Sequence, residues 1–167
     1  MSQSEKVSVL TGSPVKRLGL PELTATDGAL GPGGLGSGSD KASAMPAGIA
    51  LAAGFDEKAA YTYGKTVGAG VRHRGFDADY GPTINIMRTP LGGRTFEGFG
   101  EDPYLAARMA VGWVKGLQSE GVMADPKHFA ANNQEGQIGL SPATGAIGGR
   151  FLVNAAIGER ALHEIDR

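Results

Sequence analysis

The sequence predicts an α/β fold whose strands run parallel. Short extended segments alternate along the chain with longer segments that carry an apolar residue every three or four positions. The two longest helical segments also begin at aspartates that can cap them. Because strands and helices follow one another instead of forming separate blocks, a parallel sheet covered by helices is favoured over a sandwich or a bundle.

The composition indicates one globular domain with a neutral polar ligand. The chain has 167 residues, of which 41% are hydrophobic, and this is enough for a core of its own. Sixteen basic and seventeen acidic residues, without a basic run, argue against a nucleic-acid partner. The absence of cysteine excludes disulfides, thiolate metal sites and cysteine nucleophiles.

The apolar segments are too short to suggest export or a membrane partner. The N-terminus lacks the apolar core of a signal peptide, and no run approaches the roughly 18 residues of a spanning helix. We therefore expect a cytoplasmic protein, or a secreted or periplasmic one if this N-terminus is incomplete.

The first strand is predicted at residues 23–25, directly before a turn that carries Asp27 at its tip. A glycine-rich stretch at 30–40 follows and is expected to form a mobile loop. Asp56 then caps a predicted helix at 57–72, in which Gly64, Gly68 and Gly70 are expected to weaken the helix. The predicted buried face of this helix consists of Ala60, Tyr63, Val67 and Val71.

Two extended segments come next, at 76–80 and 83–87, separated by Gly81-Pro82. The first alternates as a half-buried strand does. A long polar loop occupies 88–102.

The clearest helix is predicted at 103–120, because Asp102 is a good N-cap, Pro103 suits the first turn and Gly121 suits the end. Gly112 is expected to leave a gap beside its apolar stripe. That stripe consists of Leu105, Met109, Trp113 and Leu117. A buried strand at 121–124, a glycine-rich loop at 136–149 and a helix at 159–166 complete the order.

The nine residues 127–135, KHFAANNQE, place a cation, an imidazole, amides and a carboxylate after the predicted strand at 121–124. In α/β folds ligands bind at the carboxyl ends of strands. The alternative is a loop whose amides satisfy backbone groups, and composition leaves both open.

Two other ligand classes are disfavoured by context, so we expect no cofactor and no metal. Gly31, Gly33 and Gly36 spell a dinucleotide-binding pattern, yet they do not open a helix. The three histidines share no metal-ligand spacing. His73 is expected to interact with a helix end, and His163 is expected at the surface.

Carboxylates are better candidates for functional residues than these glycines and histidines, because one reaction that uses them, cleavage of a glycosidic bond, requires two. Each candidate also has a structural interpretation as a turn former, a helix cap or a solvated loop residue. Arg94 is similarly expected to pair with Glu97. The candidates are Asp27, Glu97, Glu101, Asp102 and Glu135.

Residues 81–135 resemble the N-terminal domain of family 3 glycoside hydrolases, in their β-glucosidase branch. GGRTFEGFGEDPYL at 92–105, followed at the right spacing by KHFAANNQE, is highly specific. The resemblance also extends through 5–12, 18–28, 45–56 and 158–165, and so covers most of the chain.

The resemblance implies a partial (β/α)8 barrel, with residues 1–167 forming roughly its N-terminal half. In the family the nucleophilic aspartate comes late in the barrel and the acid/base glutamate in a second domain. Neither has a counterpart in this chain, which we therefore expect to be inactive alone. We also expect it to associate with the missing remainder or with itself, because a half barrel exposes strand edges and apolar helix faces.

The resemblance assigns sugar-binding roles to Asp27, Arg94, Lys127 and His128. The implied substrate is a β-glucoside or oligosaccharide whose terminal β-D-glucosyl residue is hydrolysed with retention. A β-xyloside substrate and a non-catalytic sugar-binding or interaction fragment remain alternatives.

Three segments depart from the family pattern. The residues after Asp27-Gly28 differ from the family pattern, so the loop that they form is expected to have a different conformation. The residues at 136–139 lack an arginine that often contacts the sugar in the family. Asp125-Pro126 replaces an apolar pair and is expected to bend the strand that presents Lys127.

Overall fold

A computed structural model describes residues 1–33, 42–135, 150 and 153–166 of the chain. A three-stranded parallel sheet lies at its centre, in the order β1-β2-β3. Its strands are β1 (Ala25–Asp27), β2 (Ala78–Tyr80) and β3 (Met123–Ala124). The predicted α/β fold with parallel strands is therefore confirmed.

Five α-helices occur within the described ranges, and the two longest connect the strands of the sheet. They are α1 (Gln3–Leu10), α2 (Gly48–Ala52), α3 (Glu57–His73), α4 (Pro103–Gln118) and α5 (Glu159–Glu164). Short 3-10 helices lie at Lys16–Leu18 and Thr95–Glu97. None of the helices in the described part of the chain is long and apolar enough to cross a membrane.

The predicted caps and buried faces of α3 and α4 are confirmed. Asp56 accepts a hydrogen bond from the backbone N–H of Lys58 at 2.8 Å, and Asp102 accepts from Tyr104 and Leu105. These bonds satisfy donors that a helix start leaves without partners. Both predicted faces are buried apart from Leu105, which is half-buried; their members pack in one core with Phe99, Ala106 and Val122.

The glycines of α3 and α4 have a role that the sequence analysis missed. A Cβ atom on Gly64 or Gly116 would collide with the backbone of the facing helix, at Trp113 and Tyr61 respectively. The predicted gap at Gly112 is wrong, since a Cβ there would lie 2.8 Å from the carbonyl oxygen of Glu57. These glycines let the two helix backbones touch, so they form a close seam between α3 and α4.

The strands differ from their predicted bounds. β1 starts two residues later than expected, so that Asp27 is its last residue and not the tip of a turn. The segment 83–87 contributes a single bridge, between Thr83 and Lys127, and no strand. The segment at 121–124 is not uniformly buried, because Met123 is half-exposed. β3 also ends before Asp125-Pro126.

At the end of β2 the buried and exposed positions are the reverse of the predicted alternation, in which the apolar residues are the buried ones. Asp79 is 0% exposed, whereas Tyr80 is 42% exposed. The Asp79 carboxylate lies beside Gly81, which the edge of the Trp113 ring also approaches. The face of the sheet that carries Asp79 is thus the one that α4 covers.

Two helices were not predicted, and two predicted loops cannot be compared. α1 begins with a capping box, in which Ser2 and Glu5 exchange side-chain and backbone hydrogen bonds, a signal present in the sequence. α2 has no side-chain cap. α5 ends at Glu164, two residues before the predicted end. Of the predicted glycine-rich loops, 34–40 and 136–149 lie outside the described residues.

Candidate functional site

An open cleft of about 610 Å³ lies at the carboxyl ends of the three strands. Its volume is in the range of small-molecule sites. Asp27 ends β1, Tyr80 ends β2, and Lys127 follows β3, so the parallel register gathers all three at one edge of the sheet. The charged and imidazole side chains along the cleft are Asp27, Arg94, Glu97, Asp125, Lys127, His128 and Arg150.

Lys127 donates a hydrogen bond from Nζ to Oδ1 of Asp27 at the mouth of the cleft. The lysine side chain is 16% exposed, whereas that of the aspartate is 73% exposed. Backbone bonds hold the lysine in place, because its N–H donates to Pro82 and its carbonyl accepts from Ile84. The exposed carboxylate keeps lone pairs with which it can accept hydrogen bonds from a ligand.

Arg94 is clamped by Glu97 through Nε at 2.8 Å and Nη2 at 2.5 Å, so the predicted pair is confirmed. Its Nη1 points to Oε1 of Glu135 at 3.4 Å. The hydrogen bonds that Arg94 donates to Glu97 raise the pKa of Arg94, although burial opposes this. Arg94 is therefore a fixed positive charge in the lining of the cleft.

His128 is oriented by Asn85. The histidine Nδ1 lies 2.8 Å from Oδ1 of Asn85, and the same oxygen accepts the His128 backbone N–H at 3.0 Å. Because an amide oxygen accepts, this arrangement places the imidazole proton on Nδ1. Nε2, which lies 3.4 Å from Nη1 of Arg94, then carries the lone pair.

The pKa of His128 is lowered, first by burial and then by the positive charges of Arg94, Lys127 and Arg150, while Glu135 acts in the opposite direction. The neutral ring is therefore favoured near neutral pH. In this neutral form, Nε2 is placed to accept a hydrogen bond.

Glu135 belongs to the network behind the cleft. Its Oε1 accepts from Asn132 at 3.1 Å and from Arg150 at 3.3 Å, in addition to Arg94. The backbone carbonyl oxygen of Asn132 in turn accepts a hydrogen bond from the side-chain amide of Asn85. The start of KHFAANNQE thus lies in the cleft, while the Asn132 amide donates to the Glu135 carboxylate and not to a backbone group. The buried Nδ2 of Asn133 has no hydrogen-bond partner among the described residues.

The remaining candidates lie elsewhere. Asp102 caps α4, and Glu101 is exposed and does not line the cleft. His73 ends α3, as expected, while His163 lies on α5 with Nε2 3.6 Å from the Glu159 carboxylate. Within the described ranges no three acidic, histidine or cysteine side chains converge in a way that could hold a metal ion.

Three residues near the cleft were missed by the sequence analysis: Asn85, Tyr80 and Asp79. Asn85 interrupts an apolar segment, which was a signal for a polar role. Asp79, next to the cleft residue Tyr80, is fully buried, and neither carboxylate oxygen has a hydrogen-bond partner among the described residues. Burial raises the pKa of Asp79 to about 7, with Lys127 lowering it and Asp27 raising it further.

Comparison with known proteins gives a consistent result. Residues 3–145 match the family model described as the glycosyl hydrolase family 3 N-terminal domain. A probable β-glucosidase K of Emericella nidulans is 37% identical over 98% of this chain and 19% of its own length. A β-glucosidase of Bacteroides ovatus is 40% identical over 89% of the chain and 20% of its own length.

Solved structures show the same similarity. The β-glucosidase DesR of Streptomyces venezuelae, in complex with D-glucose, has a TM-score of 0.74 at 40% identity, over 92% of this chain and 18% of its own. A Kluyveromyces marxianus β-glucosidase in complex with glucose has a TM-score of 0.81 at 35% identity, over 99% and 19%. The chain therefore spans about a fifth of the length of the relatives that it matches.

Proposed function

The chain belongs to glycosyl hydrolase family 3, and from this premise we propose that it is the glucose-binding part of a β-glucosidase. The proposed reaction of the whole protein is hydrolysis of terminal β-D-glucosyl residues with retention. The relatives named as β-glucosidases support this activity, and the two complexes with glucose support the sugar.

We also propose that the sheet and its helices are the first part of a (β/α)8 barrel. Two features support this fold. β1, β2 and β3 are parallel and adjacent in chain order, and α3 and α4 form the crossovers between them. The cleft lies at the carboxyl ends of the strands, where barrel enzymes bind their substrates.

The observation that carries the proposed function is the convergence of Asp27, Arg94, Lys127 and His128 on one cleft. A pyranose presents neighbouring hydroxyls that both donate and accept hydrogen bonds. The Asp27 carboxylate can accept from them, while Lys127 and Arg94 can donate charge-assisted bonds. Such a site rejects a sugar that lacks a hydroxyl, because a partly buried partner would be left unpaired.

The carboxylates along this cleft support binding more than bond cleavage. Asp27 accepts from Lys127 and Glu97 accepts from Arg94, whereas Asp125 is exposed to solvent. Behind the cleft, Glu135 accepts from Arg94 and Arg150. A retaining glycosidase requires one carboxylate free to attack the sugar and a second one that carries a proton. We therefore propose that both catalytic carboxylates are supplied by other parts of the whole protein, and that this chain alone does not turn over.

Binding is tested by titrating the 167-residue chain with D-glucose in a calorimeter. We expect saturable binding that weakens about tenfold or more in Lys127→Met, since a hydrogen bond to a charged group is worth about 1.5–3 kcal/mol. Lys115→Met, on the exposed face of α4, is the matched control and should bind as the unaltered chain does. Absence of saturable binding would overturn the proposed role of the cleft.

The proposal that this chain alone does not catalyse hydrolysis is tested separately with a chromogenic β-glucoside. We expect no release of the chromophore above that from Lys127→Met. Release at the rate of an intact β-glucosidase would show that the catalytic carboxylates lie within these 167 residues.

A further inference from the structure

Asp79 is the most unusual buried group in the described residues. Its side chain is fully buried, and both of its oxygens lack a hydrogen-bond partner there. Glycine backbone encloses the carboxyl group: a Cβ on Gly81 would lie 2.7 Å from Oδ2, and one on Gly28 would collide with Oδ1. An ionised carboxylate at such a place loses its hydration without replacement, so the neutral acid is strongly favoured.

Asp79 directly precedes Tyr80, which lines the cleft. On β2 it pairs with Thr26 of β1, one residue before Asp27, and with Ala124 of β3. Its backbone carbonyl accepts the N–H of Asp125 at 2.9 Å. The two strands that present Asp27 and Lys127 to the ligand therefore flank this buried acid.

The charges that act on Asp79 come from these two neighbours. The ammonium of Lys127 favours the ionised form of Asp79, whereas the carboxylate of Asp27 disfavours it. On the helix side, α4 contributes the edge of the Trp113 ring, which approaches Gly81 beside the carboxyl group and carries no charge. Lys127 is thus the cation for which an ionised Asp79 would compete with Asp27.

We propose that the proton on Asp79 positions Lys127 for ligand binding. While Asp79 is neutral, Lys127 remains bound to Asp27 at the mouth of the cleft. When Asp79 loses its proton, its carboxylate attracts the Lys127 ammonium inward, and both the Asp27–Lys127 pair and the lysine's bond to the ligand weaken. Asp79 acts here through Lys127 and does not itself touch the ligand.

This control operates near neutral pH. Burial is the largest cause of the raised pKa of Asp79, which reaches about 7, and Lys127 offsets only part of that effect. Ligand affinity should consequently be high in mild acid and fall as the pH rises through this value. Titration of His128 falls at lower pH than this step, because its pKa is lowered from 6.5.

The test rests on the proposed function and measures the dissociation constant of D-glucose from the 167-residue chain between about pH 5.5 and 8.5, a range that brackets the raised pKa of Asp79. We expect the dissociation constant to rise about fivefold or more across this range. A change of this size corresponds to the loss of one partly exposed ion pair. Asp79→Asn, which keeps the shape of the neutral acid, should give a flat profile at the low-pH affinity. Asp79→Leu should also give a flat profile, although its apolar side chain changes the packing.

A dissociation constant that does not change with pH in the unaltered chain would overturn the proposal. So would an Asp79→Asn profile that rises as the unaltered one does. In either case glucose still binds, so the proposed function stands.

A second readout does not depend on glucose. The NMR shifts of the Lys127 side-chain ammonium should pass through an inflection near pH 7 in the unaltered chain, and this inflection should be absent in Asp79→Asn. Its absence from the unaltered chain overturns the positioning role, even if glucose fails to bind and the proposed function fails with it.

Discussion

Glu97 holds Arg94 through two parallel hydrogen bonds, Nε to Oε1 at 2.8 Å and Nη2 to Oε2 at 2.5 Å. Only three positions separate the two residues, and the 3-10 helix Thr95–Glu97 brings their side chains face to face. The clamp fixes the plane of the guanidinium and leaves Nη1 directed toward His128 and Glu135. The orientation of Arg94 in the cleft is therefore set locally.

Glu97→Gln should weaken D-glucose binding about fivefold to tenfold. The amide can accept only one of the two bonds, so Arg94 becomes mobile and loses its preorganised position. Calorimetric titration measures the change. Glu101→Gln, a neighbouring exposed position outside the cleft, is the control; equal losses in both variants would show that loop charge, not the clamp, matters.

Asp79→Asn should stabilise the chain at alkaline pH. The pKa of Asp79 in the folded chain, about 7, exceeds its usual value of 3.8, so the folded state binds more protons between these values. The free energy of unfolding therefore declines as the pH rises toward 7, by at most about 1.4 kcal/mol per pH unit from this group, and is then constant.

Urea denaturation at intervals from about pH 4 to 8 measures this difference. The stability of Asp79→Asn relative to the unaltered chain should increase with pH by a few kcal/mol up to about pH 7. Parallel curves for the two proteins would contradict a protonated Asp79.

Arg94→Met should raise the pKa of His128. Burial, the largest cause of its lowered pKa, remains in the variant, while the second cause, the Arg94 charge, is removed. An NMR titration of the histidine ring protons measures the midpoint, which should lie below 6.5 in the unaltered chain and higher in the variant. Arg108→Met, which disrupts an exposed pair with Glu57 on the helices, should leave it unchanged.

Gly116→Ala should destabilise the chain by about 1–3 kcal/mol or more, although alanine favours helix formation. The added methyl would collide with the backbone of α3 at Tyr61, and a backbone cannot rotate away as a side chain can. Thermal and urea denaturation measure the loss. Ala69→Ser on the exposed face of α3 should change stability little; a Gly116→Ala chain as stable as that control would refute the close seam.

Local signals in the sequence predicted more than long-range ones did. Asp56 and Asp102 were identified as caps because a cap contacts only the next turn of the chain. The pairing of Asp27 with Lys127 joins residues 100 positions apart, and no spacing rule relates them. Their roles were inferred from the family resemblance, and the cleft they share was found in the structure.

The errors at Asp79 and at the glycines have a common physical cause. Alternation along β2 separates two faces of a strand, but it does not say which face the helices cover. Helix propensity treats a glycine as a loss of stability, whereas Gly64 and Gly116 oppose the backbone of another helix. In both cases the deciding contact comes from a distant part of the chain.

The seam between α3 and α4 restricts how this protein can be recombined with its relatives. Where two backbones touch through glycines, neither helix can accept a larger residue unless its partner moves away. A chimera that takes α3 from one parent and α4 from another is therefore expected to mismatch at this seam. The two helices should be exchanged as a single cassette, together with β2 between them.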